Sequence, residues 1–386
     1  MLHDTSSIML DFDALSSNID FIKSRLKSGV KLSSVVKGNA YGHGIKELVP
    51  LLERCDVHHF SVFSAQEAAE AKAAATQPCT VMIMGFLADA DLLWAIENEI
   101  EFFVFDMERV QQALTVAEEL NTKAIIHVEL ETGFNRTGFN KKYLLELIDL
   151  IRANDKYFRV RGVCTHYAGA ESVANYVRVK KQISNFNKLY KLIEKAGIDV
   201  EMRHTACSAA AMAYPKTQMD MVRIGILQYG FWPSKEVFID YLNNSKNEDK
   251  RDPLRRIITW SSSIMTIKEV KTGDFIGYGT SYLAQQDMKV GVVPVGYAYG
   301  YSRILSNQGR VLVNGKRIGV IGMVNMNMMM VDITEVPDVK RGTTVILIGE
   351  QDNVDISVAS FGELSNQLNY ELLTRLPHDI PRIIKE

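Results

Sequence analysis

The chain has 386 residues, 47% of them hydrophobic and 23% charged, with a formal net charge of −2. This is the composition of a globular protein with an ample core, long enough for two domains. It gives no case for nucleic acid or an anionic membrane as a partner. No run of about 18 apolar residues occurs, so no membrane-spanning helix is expected. The N-terminus MLHDTSSIML lacks a basic region followed by a long apolar run, so no secretory leader is expected either. The four cysteines, Cys55, Cys79, Cys164 and Cys207, have no metal-ligand spacing. They read as reduced core thiols of a cytoplasmic protein, with no metal site.

The chain opens with a short strand, about residues 6–12, and an amphipathic helix with Leu15, Ile19, Ile22 and Leu26 at helical spacing. Short apolar runs then recur at 31–37, 58–64, 79–85, 100–105, 123–129, 160–166, 202–207 and 222–230, with helical periodicity between them. Alternating strand–helix units in that number predict a (β/α)8 barrel of the TIM type. A doubly wound open sheet is the alternative, but no GxGxxG follows a strand. Residues 231–252 end in SKNEDKRDP, charged and helix-breaking, and read as a linker. Beyond it, runs within 255–270, 274–284, 288–301, 309–324, 326–334 and 343–350 are separated by Gly and Asn turns, with a hairpin turn at VNGKR and a helix near 361–376. The predicted organisation is thus a barrel over 1–245, with the first strand open to joining the second domain, and a mostly-β domain over 253–386.

In such a barrel the chemistry sits at the C-terminal ends of the strands. The first barrel run, KLSSVVK, ends in Lys37 and meets the glycine-rich stretch GNAYGHG. A buried ammonium is unfavourable unless paired or neutralised. A lysine at that position is therefore a candidate Schiff-base lysine. The other strand ends bring Glu129, His166, Ser208, Arg223 and Gly225, so ionisable and polar groups gather where a site belongs.

Together, VVKGNAYGHG (35–44), ETGFNRTGF (131–139), CTHYA (164–168), RIGILQYG (223–230), GYGTSY (277–282), VGYAYGY (295–301), VNMNMMMVD (324–332) and NYELLTR (369–375) resemble the alanine racemases across essentially the whole chain. The resemblance implies pyridoxal 5′-phosphate (PLP) as cofactor, an L-/D-alanine racemase activity and a head-to-tail homodimer with shared active sites. It further implies a cytoplasmic isomerase making D-alanine for peptidoglycan. Lys37 and Tyr278 of the other subunit would be the two catalytic bases, one on each face of Cα. Arg223 would bond the pyridine nitrogen, and His166 would lie against the ring. Tyr41, Ser208, Gly225, Ile226 and Tyr370 would hold the phosphate. Arg136 and the N–H of Met326 would anchor the substrate carboxylate, with Tyr297 and Tyr370 lining the pocket.

The chain departs from the family pattern at Glu129, where many relatives have a lysine that becomes carbamylated, and at Asn327, where Asp is usual. Tyr299, Met323 and Cys207 depart as well. Glu129 and Asn327 would act behind the substrate contacts. These departures open the substrate question, so a racemase of serine, lysine or broad specificity is the nearest alternative. A decarboxylase of the same barrel class is disfavoured because no cysteine follows Cys207. A PLP carrier without turnover would lack the β-domain.

Overall fold

The computed structural model describes residues 4–244, 250–357 and 369–386, with the side chains of residues 369 and 370 outside the description. The chain forms two compact units. One comprises Ala14–Gly38 and Leu48–Arg255; the other comprises Met1–Asp13, Asn39–Glu47 and Arg256–Glu386.

The first strand, β1 (Ser6–Asp11), belongs to the second of these. The barrel unit holds β2 (Lys31–Val35), β3 (His59–Val62), β4 (Thr80–Ile83), β5 (Glu101–Val104), β6 (Ala124–Glu129), β7 (Phe158–Cys164), β8 (Met202–His204) and β9 (Met221–Ile224). All pair in parallel in the order β8-β7-β6-β5-β4-β3-β2-β9. The ring closes between β8 and β9, where Asp220 N donates to Arg203 O at 3.1 Å and Arg223 N to Ala206 O at 2.9 Å. Every one of the eight runs read as a barrel strand forms one.

Three of the helices that follow barrel strands start on side-chain caps. Ser64 caps Ala65–Ala74, Asp106 caps Met107–Glu119 and Asn140 caps Lys141–Ala153, each accepting a backbone N–H. Ser64 and Asp106 fall just past β3 and β5, so they place polar side chains at the C-terminal face. The barrel interior is not purely apolar. Ser33 Oγ lies 2.6 Å from Ser61 Oγ, and Ser34 Oγ donates to Gln228 Oε1 at 2.7 Å. Buried hydroxyls are tolerated because each has a partner on another strand or turn.

The second unit adds β10 (Ile258–Ser263), β11 (Thr266–Val270), β12 (Met288–Val293), β13 (Arg310–Val313), β14 (Lys316–Ile321), β15 (Met329–Asp332), β16 (Thr344–Gln351), β17 (Val354–Ile356) and β18 (Arg382–Lys385). They form a sheet of order β11-β12-β15-β14-β13-β16-β10-β1-β18, with β17 beside β16. The β13–β14 hairpin turns at Asn314 (φ 47°) and Gly315 (φ 71°), the paired positive dihedrals that an Asn-Gly turn supplies. Trp260 and Tyr301 sit fully buried in this unit, ring centroids 6.3 Å apart.

Two local expectations need correction, and a third falls partly outside the described residues. Residues 231–252 contain a helix, Lys235–Asn244, rather than linker alone; around it Trp232 packs on Phe238 and on Tyr241, and Tyr241 on Phe21. The run 274–284 is a loop around the turn Tyr278–Thr280. Gly277, Gly279 and Thr280 take positive φ there and break the extended backbone. The helix near 361–376 is described as Asn369–Thr374, and residues 361–368 lie outside the described residues.

Candidate active site

β2 stops at Val35, two residues short of the expected end, and Lys37 opens a helical turn, Lys37–Tyr41. Gly38, Asn39, Ala40 and Tyr41 have φ of 63°, 52°, 53° and 53°, so the turn is left-handed. Such a conformation costs about 1–2 kcal/mol per non-glycine residue. Local bonds hold it. Gly38 N donates to Glu67 Oε1 at 2.6 Å, Gly44 N to Asn39 O at 2.9 Å, and Ile45 N to Asn39 Oδ1 at 3.0 Å. The fully buried His43 donates from Nδ1 to Ala40 O at 2.9 Å and Tyr41 O at 3.0 Å. Strain of this kind, retained by its surroundings, is a mark of functional backbone. Tyr41 is buried at 9% exposure.

Lys37 reaches solvent, yet protein atoms crowd it. Lost hydration lowers the ammonium pKa, the positive charges of Arg136 and Arg223 lower it further, and Glu67 opposes them. The amine is thereby biased toward its nucleophilic, unprotonated form.

Arg223, on β9, is buried at 5% exposure. Its Nη1 donates to His204 Nδ1 and, at 2.6 Å, to His204 O; Nη2 donates to Thr165 O at 2.8 Å. His166 follows β7, and its pKa falls to about 3 through burial, then Arg223, Arg136 and Lys37. It is neutral at working pH. The Arg136 guanidinium lies 4.3 Å from the centroid of the Phe134 ring, which sits 5.7 Å from the His166 ring. Glu129 ends β6 at 6% exposure. Burial raises its pKa, against a hydrogen bond from Thr137 and the fields of Arg136 and Arg223. Ser208 opens the helix Ser208–Ala213, and its Oγ accepts from Gly225 N at 3.0 Å. Gly225 leads into the turn Ile226–Tyr229. Lys37, Glu129, Arg136, His166, Ser208, Arg223, Gly225 and Ile226 thus all belong to the C-terminal end of the barrel strands or the loops just beyond. Gly225's N–H is already engaged by Ser208.

The remaining expected residues lie in the second unit. Tyr278, Met326 and Tyr297 are 71%, 55% and 41% exposed, and Asn327 is exposed too. Two of them are brought together: Tyr297 N donates to Asn325 O at 3.0 Å and Ala298 N to Met326 O at 2.9 Å. Tyr370 falls in the helix Asn369–Thr374, and its side chain lies outside the described residues.

Sequence reading missed three groups. Glu101, His127 and His204 are buried at 3%, 0% and 0% and hydrogen-bonded in series behind Arg223. One signal was present: His127 and Glu129 are two apart on β6 and share a face. No group of His, Cys, Asp and Glu among the described residues could hold a metal ion.

The barrel mouth therefore offers a lysine with a depressed pKa, two guanidiniums and one buried carboxylate. Cations predominate, which suits an anionic ligand, and an amine whose pKa is lowered suits a carbonyl compound. A barrel enzyme that links a carbonyl group to a lysine would need a set of this kind. The sequence signature of the alanine racemase N-terminal domain matches residues 10–233, and that of the C-terminal domain matches 257–384. An alanine racemase of Clostridium perfringens is 32% identical over 380 residues, covering 98% of this chain and 94% of the relative. The solved alanine racemase of Clostridium difficile 630 is 30% identical with a TM-score of 0.90, covering 100% of this chain and 97% of that one. The alanine racemase of Bacillus anthracis with bound L-Ala-P is 29% identical with a TM-score of 0.90, covering 100% and 96%. The chain belongs to the alanine racemase family.

Proposed function

We propose that the protein interconverts L-alanine and D-alanine with pyridoxal 5′-phosphate as cofactor. The carrying observation is that Lys37, just past β2, and Arg223, on the neighbouring β9, stand at one barrel mouth, in a chain that matches this family from end to end. The donor set fits the cofactor group by group. Lys37 offers a low-pKa amine to the aldehyde. Arg223 offers a guanidinium to the ring nitrogen, and Ser208 and the Ile226 N–H face the phosphate's needs. Tyr41 and Tyr370 complete that cradle, while Gly225 acts through Ser208. Bound there, the cofactor supplies the electron sink that makes the Cα proton of an amino acid removable.

The protein's own groups then divide the work. Lys37 holds or takes the proton on one face of Cα, and Tyr278 of the partner subunit does so on the other. Arg223 keeps its proton at working pH, so the ring nitrogen stays unprotonated and reprotonation at Cα is favoured over side reactions. His166, neutral, lies against the ring without adding charge. Arg136 and the partner's Met326 N–H hold the substrate carboxylate, and Tyr297 and Tyr370 narrow the pocket. Glu129 supplies the negative partner of Arg136, and Asn327 supports Met326.

Two bases on opposite faces of Cα call for a head-to-tail homodimer in which the β-domain, 253–386, completes the partner's site at the mouth of the barrel. The high exposure of Tyr278 and Met326 supports it, since both are large side chains left uncovered in one chain. A cytoplasmic setting is supported by the four free thiols. No helix among the described residues is long and apolar enough to cross a membrane.

The test is D-alanine formation from L-alanine by the PLP-loaded protein, with L-serine and L-lysine alongside. Alanine turnover that disappears in Lys37→Ala supports the reading. Faster turnover of serine or lysine moves the substrate and keeps the mechanism. A loaded protein inert toward all of them refutes it.

A further inference from the structure

Behind Arg223 a line of buried side chains crosses the barrel. Glu101 is the first residue of β5, at the N-terminal end of the strands. Its Oε2 lies 2.8 Å from His127 Nε2. His127 Nδ1 lies 2.8 Å from His204 Nε2, and His204 Nδ1 meets Arg223 Nη1. His127 and His204 belong to β6 and β8, which are not neighbours; β7 runs between them. Contact across it is possible because Gly162 occupies the register position on β7 paired with both His127 and Met202. A Cβ there would stand 2.2 Å from His127 Nδ1 and 2.8 Å from His204 Nε2. Phe103 backs the line, its ring 6.0 Å from that of His127, 5.9 Å from that of His204 and 5.9 Å from the Arg223 guanidinium.

Donor and acceptor roles along this line have one solution. A carboxylate can only accept, so His127 Nε2 carries the proton donated to Glu101. Burial keeps both imidazoles neutral, so His127 Nδ1 is a lone pair. His204 Nε2–H then donates to it, which leaves His204 Nδ1 as the lone pair that receives Arg223. The reversed order would aim an Nδ1–H of His204 at an N–H of Arg223. That is a buried clash of two donors.

We propose that Glu101, His127 and His204 are positioning residues. The carboxylate fixes both tautomers, and His204 Nδ1 thereby becomes the acceptor that orients Arg223 toward the cofactor's ring nitrogen. Glu101 is suited to the role because its charge is held in place. Burial alone would raise its pKa, but hydrogen bonds from His127 and His59 pull it well below the usual range. Arg161 Nε donates to its other oxygen at 3.0 Å, and His59 Nε2 stands 3.4 Å from Oε2 with Nδ1 at 2.8 Å from Ser33 Oγ. The groups facing the two histidines are Glu101, His59, Arg161 and Arg223. This role rests on the reading of Arg223 as the ring-nitrogen partner; the tautomers do not.

The experiment is ¹⁵N NMR of histidine-labelled protein without cofactor, from pH 6 to 9, joined to steady-state kinetics of the loaded enzyme. Wild type is expected to show His127 and His204 neutral and protonated at Nε2 throughout. Glu101→Leu removes the acceptor; His204 should then populate the Nδ1–H tautomer, and kcat should fall about tenfold or more with KM changed little, the scale seen when residues orienting a site are lost. Glu101→Gln keeps an acceptor oxygen and should restore the tautomers and most of kcat. An Nδ1–H on His204 in wild type overturns the proposal without any variant, so it stays testable if Glu101→Leu does not fold. Wild-type tautomers in a folded Glu101→Leu overturn it too. Correct tautomers in a protein that racemises no amino acid would refute the function and leave the tautomer relay standing.

Discussion

Acidification from pH 7 to pH 5 should destabilise this protein steeply, because its fold stores histidines in neutral form. His43 is fully buried, and burial, its largest influence, brings its pKa to about 4, with Arg382 adding to the effect against two backbone hydrogen bonds. In the unfolded chain a histidine titrates near 6.5. Between those values the unfolded state binds a proton that the folded state does not. Stability is therefore present above the unfolded pKa and is lost as pH falls. Integrated from pH 7 to pH 5, His43 alone removes about 2 kcal/mol. His127, His166 and His204 are lowered as well and act with the same sign. Glu101, held low, contributes stability that is lost only below the ordinary carboxylate range, outside this window. Glu129, held high by burial, works in the opposite direction and offsets part of the slope. Denaturant melts every half pH unit give the proton uptake directly. Near pH 5.5 the slope should exceed about 2.7 kcal/mol per pH unit, the value for two protons. A slope at or below about 1.4, one proton or fewer, would refute the assignment of these histidines as neutral. A total loss of several kcal/mol is a large share of the roughly 5–15 kcal/mol by which domains are stable.

Gly42 sits at φ 81°, and a Cβ there would fall 1.9 Å from Leu373 O. Gly42→Ala should destabilise by about 3 kcal/mol or more, from overpacking and the wrong dihedral together, read as a fall in Tm. Ser208→Ala strips the acceptor from the buried Gly225 N–H and a donor from the phosphate cradle. An unsatisfied donor of this kind costs about 1–3 kcal/mol, so PLP affinity measured by titration of the apoprotein should drop at least fivefold. Glu129→Gln should raise KM for alanine about fivefold, on the order of 1 kcal/mol for losing the charge behind Arg136. Added bicarbonate should leave both forms unchanged; an unaltered KM would contradict Glu129's role.

The barrel was legible because parallel strands buried on both faces read as continuous apolar runs, and all eight could be counted. Lys37 stood out as the ionisable end of such a run. The backbone around it did not. Asn39 tolerates positive φ, but nothing in Ala40 or Tyr41 announces a left-handed turn, which exists because Glu67, Asn39 and His43 bind it from outside the turn or across it. The relay behind Arg223 was illegible for a related reason. Glu101, His127 and His204 come from β5, β6 and β8, and a buried polar residue is explained only by partners that the sequence does not place beside it. Ser33 and Ser34 sit in a run read as apolar for the same cause. In the second unit, VNGKR carried its own turn chemistry and was readable. The run 274–284 was not, because aromatic residues suited to a strand are interleaved with glycines that take positive φ. The helix Lys235–Asn244 was hidden by the charged segment that follows it.

The most direct measurement of the central claim is Cα–H exchange of L-alanine in D₂O by the PLP-loaded protein, followed together with the appearance of D-alanine. Wild type is expected to place deuterium at Cα and to form the D-enantiomer, both absent in Lys37→Ala, with Tyr278→Phe slowed unequally in the two directions. A loaded wild-type protein that exchanges no Cα proton, or a Lys37→Ala variant that racemises as wild type does, would contradict it.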